Sequence, residues 1–304
     1  MVKKRIDLVT IFRDFLKKEA LEGKKILLLV SGGVDSMVLL DIAEKVVNKK
    51  NLAVFHLDHQ WRKNSHKDFE LVQKICSDKN IKFFGEKWKT IFQKEAKKIN
   101  ENDARKRRKN CAEKVAKIFG AKKILTAHHA TDLVETMIFR LTKGSGFDGL
   151  SPFQTDSKPF WEVPKSDLIS HATAEKILWH EDETNADTDI PRNAIRHSVL
   201  PVLRNITPNL ESVFVKESEM CSDVANFFSR LVTEKAKNPL LLKVFRSWDP
   251  ALKRYFLYHL AGKNISFDEI EDALKWLEKT DRGGSQKKIG GKTLILKKGE
   301  ITGL

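Results

Sequence analysis

Lys24-Lys25-Ile26-Leu27-Leu28-Leu29-Val30-Ser31-Gly32-Gly33-Val34-Asp35-Ser36 is the stretch that decides the fold. Lys24–Val30 reads as a strand, Ser31–Ser36 as a tight turn, and the apolar positions Val38, Leu39, Ile42 and Val46 as the helix that follows. Two glycines let the backbone approach a ligand closely, and the start of the helix offers unpaired N–H groups and a positive dipole end. Asp35 and Ser36 suit helix capping, or contact with a metal and a phosphate. The letters are not those of a Walker A loop, which needs G-x-x-x-x-G-K-[ST]. An ordinary βα turn with a Ser or Asp N-cap is the plainer alternative. The strand–turn–helix context favours a phosphate cradle.

Working outward, Leu52–Leu57, Ile81–Phe84 and Ile124–Ala127 read as three more short strands separated by helical patterns. That alternation predicts an α/β fold, a Rossmann-like nucleotide-binding domain on a parallel sheet. In such sheets ligands sit beyond the C-terminal ends of the strands. Residues 144–209 are punctuated by Gly and Pro and predict loops, a short helix near Ser166–Ile177 and a return to helix around Asn193–Leu203. From Asn209 the chain is mostly helical, with patterns near Ala251–Leu260 and Phe267–Leu277, and Gly283–Leu304 predicts a terminal hairpin. The expected division is a catalytic domain, 1–208, and a smaller, mainly helical domain, 209–304.

Composition narrows the class. The 304 residues are 41% hydrophobic and carry a net charge of +15. Such a chain can bury a core, which excludes wholesale disorder. No apolar run approaches the ~18 residues of a membrane span, and no apolar stretch backs the N-terminal charges as in a secretory signal. Cys76, Cys111 and Cys221 are far apart, with no C-x-x-C, which argues against a disulfide framework or a zinc ribbon. The expectation is a cytoplasmic protein with no membrane partner and a polyanionic ligand. Much of the charge is local. Residues 94–123 hold twelve Lys/Arg against four acids, net +8, and Arg282–Leu304 holds six against one, net +5. A solvated helix face is the usual reason for a charge run; a run this one-sided points to RNA.

Three segments extend the chemistry. His56 and Asp58 in Phe55–Arg62 share one face of a strand. In Leu125–Thr136, His128, Asp132 and Glu135 fall at spacings of four and three, on one face if helical. His128-His129 without cysteine is a poor zinc site. Arg192 and Arg196 lie four apart in Pro191–Pro201.

Ser31–Ser36 resembles the S-G-G-x-D-S loop of the PP-loop ATP pyrophosphatases. Phe55–Arg62, Ala127-His128-His129-Ala130-Thr131-Asp132 with Glu135 and Thr136, and Trp179–Asp187 with Arg192-Asn193-Ala194-Ile195-Arg196-His197 resemble the tRNA(Ile)-lysidine synthetases within that superfamily. The match covers about residues 25–205. Thr131 stands where the family usually has an acidic residue, and Lys109 where the basic element has a tyrosine.

The resemblance implies ligation of lysine to C2 of the wobble cytidine of a tRNA(Ile) with a CAU anticodon. ATP activates the cytidine as an adenylate, and AMP and pyrophosphate are released. It assigns ATP binding to Ser31, Gly32, Gly33, Val34, Asp35, Ser36 and His56, and catalysis to Asp35, His128, Asp132 and Arg196. Asp35 and Asp132 are the candidates for Mg²⁺, Asp58 and Glu135 for lysine binding or proton abstraction, and Arg105, Arg108, Arg192 and Arg196 for tRNA. Free L-lysine is the second substrate, and a homodimer is compatible with the reading. The alternative is another PP-loop enzyme, a tRNA thiolase or a GMP/NAD synthetase-like ligase.

Overall fold

The computed structural model describes residues 6–58, 60, 64–88, 101–153, 155–181, 191–236, 240–262, 265–280 and 284–302, with the side chains of 101–105 excepted. The motif residues 61–62 and 182–190 lie outside the described residues.

β1 (Ile26–Leu29), β2 (Leu52–Asp58), β3 (Lys82–Lys87) and β4 (Lys123–Leu125) form a parallel sheet in the order β3-β2-β1-β4. Ile26 pairs with Leu52 on one side and Lys123 on the other. Apolar residues fill both faces because helices cover both. One face (Leu28, Val54) packs on α1 (Leu8–Lys18) and α2 (Val34–Val46) through Phe12, Leu39 and Ile42. The other (Leu27, Ala53, Phe55) packs on α3 (Ser65–Asp78) and α4 (Glu101–Phe119) in part: Cys111, Ala112 and Val115 of α4 close it, whereas Val72 and Cys76 of α3 join the first face. Burial pushes the Cys76 thiol up to about 12, so it packs as an inert apolar group. β4 stops before the expected Ala127, because the amide of Thr126 turns away to bond Ser157 O at 3.0 Å.

The chain runs β1, β2, β3 in one direction and then returns to place β4 on the far side of β1. This reversal opens a crevice beyond the C-terminal ends of β1 and β4, the switch point where open α/β sheets bind ligands. Helix α5 (Ala130–Leu141) leaves β4 there, followed by α6 (Phe147–Leu150), α7 (Lys165–Ala174), α8 (Pro191–Ala194), a π-turn (Ile195–Val199) and α9 (Leu200–Ile206).

The chain divides into two compact units: 1–138 with 152–215, and 139–151 with 216–304. The second holds part of α10 (Leu210–Lys235), α11 (Leu242–Arg246), α12 (Pro250–Leu260) and α13 (Phe267–Lys279) around Phe245, Trp248 and Phe256. Its Tyr255 Oη lies 2.8 Å from both Asp148 Oδ2 and Ala225 O, which ties segment 139–151 to the rest of the unit. The expected hairpin is β6 (Ser285–Ile289) and β7 (Lys292–Lys297), turning at Gly290 and Gly291, both at positive φ. It is half of a four-stranded antiparallel sheet, order β5-β8-β7-β6, completed by β5 (Leu240–Leu241) and β8 (Glu300–Thr302). Two- and three-residue strands carry too little periodicity to read in advance. Among the described residues no helix is long and apolar enough to cross a membrane.

Candidate active site

The loop after β1 is stapled by its two serines. The Ser36 hydroxyl donates to Gly33 O (2.9 Å) and accepts from the Ser31 amide (3.1 Å); Ser31 Oγ lies 3.1 Å from Ser36 Oγ. Gly32 sits at φ +93°, and a Cβ there would come 3.0 Å from the Asp68 Cβ, so both its backbone angle and its neighbour demand glycine. Gly33 is the N-cap of α2, and no side chain caps that end. The Ser or Asp cap of an ordinary turn is not what forms: the first-turn amides are left for a ligand, with the helix dipole behind them. A strap fastens the loop from above, His180 N donating to Gly32 O (3.1 Å) while His180 Nδ1 lies 2.9 Å from Asp68 Oδ1.

Asp35, on this loop, meets the residues that follow β4. Its Oδ2 lies 3.5 Å from His129 Nε2 and 3.5 Å from Lys165 Nζ, and its Oδ1 is buried with no hydrogen-bond partner among the described residues. Burial raises the Asp35 pKa, but His129 and Lys165 more than offset it, so the carboxyl is held below its ordinary value and is ionised at neutral pH. His129 is fully buried, and its Nε2 is 3.6 Å from Asp132 Oδ2.

The partner expected for Asp132 was His128, on helical spacing, but α5 begins only at Ala130. His128 precedes the helix, with Nδ1 2.8 Å from Thr126 Oγ1 and its ring edge on Phe153. His129 takes the place beside Asp132 because it caps the helix. The Asp132 amide donates to His129 Nδ1 (3.2 Å) while the Asp132 carboxylate accepts from the His129 amide (3.2 Å). This is a capping-box exchange with histidine as the cap. An amide aimed at Nδ1 places the ring proton on Nε2, facing the two carboxylates.

Glu135, one turn on, is buried and takes Arg196 on both oxygens, at 2.6 and 2.9 Å. The Arg196 Nη2 is 3.7 Å from Asp132 Oδ1. Burial disfavours the Arg196 charge, but Glu135 and Asp132 raise its pKa above the ordinary value. Arg192 donates to Thr136 Oγ1 at 3.3 Å. The segment carrying both arginines is joined through the π-turn, whose extra residue shifts Arg196 off the simple α-helical face.

His56 and Asp58 are buried at the end of β2. His56 Nδ1 donates to Val30 O (2.8 Å), and burial pulls its pKa down, so it is neutral with Nε2 unprotonated. Asp58 Oδ1 accepts from the Gln60 amide at 2.9 Å. On α4, Arg108 is exposed, as are Lys106, Lys109, Lys114 and Lys117, whereas Arg107 lies 6.0 Å over the Trp88 ring and serves packing. The Arg105 side chain is outside the described residues. The sequence reading missed Lys165, His129 and His180. The His129–Asp132 capping spacing was the one signal available for any of them.

A family model for the PP-loop domain matches residues 6–203, and the chain belongs to that ATP-binding family. Within it, the chain is similar to curated tRNA(Ile)-lysidine synthases. It is 34% identical to that of Thermotoga sp. (strain RQ2) over 220 residues, covering 70% of this chain and 53% of the relative. It is 30% identical to that of Persephonella marina over 288 residues, covering 89% and 64%. It is also 30% identical to the bifunctional protein TilS/HprT of Listeria innocua over 312 residues, covering 93% and 47%. The chain thus spans from about half to just under two thirds of the length of these relatives. Among solved structures, the U34-tRNA thiolase NcsA from Methanococcus maripaludis has the same fold, with a TM-score of 0.57 at 15% identity, over 69% of this chain and 77% of that one.

Proposed function

We propose that the chain ligates lysine to C2 of the wobble cytidine of tRNA(Ile) with a CAU anticodon, through an adenylated cytidine, releasing AMP and pyrophosphate. The observation that carries this reading is the meeting, at the β1/β4 crevice, of an uncapped helix N-terminus with Asp35, His129 and Asp132. The similarity to lysidine synthases selects the substrate among PP-loop reactions.

The loop amides of Ser31–Ser36 cradle the β,γ-phosphates, and the stapling serines keep them aimed. Asp35 and Asp132 fit a hard divalent cation: both are oxygen donors, Asp35 is held ionised, and its Oδ1 is buried without a partner. When bound there, Mg²⁺ neutralises charge on the triphosphate and polarises its oxygens. His129 holds the two carboxylates together through its Nε2 proton. Arg196, anchored by Glu135, presents a guanidinium that suits the phosphate of the adenylate or the anticodon backbone. Neutral His56 offers Nε2 as an acceptor for a nucleotide N–H.

The second step needs a neutral amine. At a pKa of about 10.4, roughly one lysine in a thousand is neutral near pH 7.4, a handicap of about 4 kcal/mol. Glu135 has both oxygens on Arg196 and serves as an anchor. Asp58, buried at the strand end, is the better group to receive the lysine ammonium and its proton. The exposed cations of α4, including Arg108, and those of the terminal sheet, Lys288, Lys292, Lys297 and Lys298, are the tRNA contacts in this reading.

The test is release of AMP and pyrophosphate with ATP, lysine and unmodified CAU-anticodon tRNA(Ile). Release should need all three and should fall to background when the wobble cytidine is replaced by uridine. Release indifferent to that replacement overturns the lysidine assignment.

A further inference from the structure

We infer that Lys165 contacts the phosphates of ATP and the departing pyrophosphate, an assignment that deepens the proposed ATP chemistry and rests on it.

Lys165 is the first residue of α7, and its backbone is fixed from several sides. Pro164 before it is extended at φ −62° and ψ 146°. The Lys165 amide donates to Thr131 Oγ1 (3.2 Å), and the Ala130 amide donates to Val163 O (2.9 Å). Thr131 in turn donates to Glu211 Oε1 (3.2 Å), and Glu211 is paired with Arg204. The start of α7 is therefore clamped to the start of α5, beside His129 and Asp132. From that anchor the Lys165 side chain reaches the phosphate loop, where Nζ lies 3.5 Å from Asp35 Oδ2.

As a purely structural ion pair this contact is weak. The Lys165 side chain is 27% exposed, 3.5 Å is long for a hydrogen bond, and Asp35 Oδ1 remains unpartnered. The charge of the crevice gives it a better reason. Asp35 and Asp132 already place two carboxylates where a polyanion is to bind. Arg196 is committed to Glu135, and His129 is fully buried between the carboxylates with Nε2 short of a hydrogen bond. Lys165 is the ammonium that can give up a long contact to Asp35 for a phosphate oxygen. Lysine binds phosphate well as a movable point charge.

In the adenylation step the cytidine C2 oxygen forms a bond to the α-phosphorus. The bridging bond between that phosphorus and the β-phosphate oxygen breaks, and its electron pair leaves on pyrophosphate. An ammonium hydrogen-bonded to the leaving group stabilises the charge that appears there.

The experiment measures equilibrium binding of inorganic pyrophosphate, with Mg²⁺, to the full chain, to Lys165→Met and to Lys165→Arg, alongside thermal melting. Lys165→Met should weaken pyrophosphate about 10- to 100-fold, with Lys165→Arg recovering most of the loss and both variants melting as folded proteins. Unchanged affinity in Lys165→Met, with the unaltered chain binding pyrophosphate, overturns the inference and leaves the ATP reading standing. An unaltered chain that binds neither pyrophosphate nor ATP overturns both. A loss in Lys165→Met that Lys165→Arg does not recover, in two folded variants, overturns it too, because a phosphate contact needs only the positive charge.

Discussion

The two units handle polarity in opposite ways. Of the twelve buried polar or charged side chains among the described residues, eleven belong to the first unit, and Ser218 alone belongs to the second. Several of the eleven (Ser36, His56, Asp58, His129, Thr131 and Glu135) sit at the C-terminal ends of β1, β2 and β4 or on the helices that leave them. The second unit instead fills its interior with Phe245, Trp248, Phe256 and the inward residues of its sheet, Ile289, Leu294, Leu296 and Ile301. Burying ionisable groups is costly unless they are paired, and apolar packing is the cheaper way to stabilise a fold. The polar side chains of the first unit are therefore best explained by chemistry, and the second unit by shape and surface charge.

That contrast can be broken experimentally. Asp35→Ala should lower AMP release by about a thousandfold, because it removes a candidate metal ligand at the phosphate loop. tRNA affinity, read by filter binding, should persist; an active variant would return the loop to an ordinary turn. Phe245→Ala acts on the other side of the comparison. It should destabilise the second unit by about 3–5 kcal/mol in denaturant unfolding, while pyrophosphate affinity in the absence of denaturant stays unchanged. Loss of pyrophosphate binding in that variant would show that the apolar unit does support the site. The smallest effect is expected on the surface. Charge-removing changes at Arg105 and Arg108 should each reduce the salt slope of tRNA binding by about one, with little change in the rate of AMP release. An unchanged slope would return α4 to a solvated face.

Much of the first unit was legible because its signals are local. The apolar runs of β1 and β2, the glycines at 32 and 33 and the serines that bracket them act within a few residues of one another. The site was less legible wherever contacts are distant in the chain. Lys165 reaches Asp35, and His180 reaches Asp68 and Gly32, through the tertiary fold, and no spacing rule links such pairs. His129 was missed for another reason. Helical spacing was applied one turn too early, at His128, although histidine at the N-cap and aspartate at the third position already spelled the reciprocal cap. In the second unit the periodic helices and the Gly-Gly hairpin were readable, but β5 and β8 exist only because the hairpin offers them an edge.

The π-turn at Ile195–Val199 changes which edits this protein can tolerate. A substitution there alters one side chain, whereas deleting one residue would let the backbone relax into a regular α-helix and turn everything on one side by about 100°. Such a helix would be locally more ordinary, yet Arg192 and Arg196 could no longer both face Thr136 and Glu135 as they do now. In this segment insertions and deletions, more than point changes, separate a working copy of the sequence from a merely folded one.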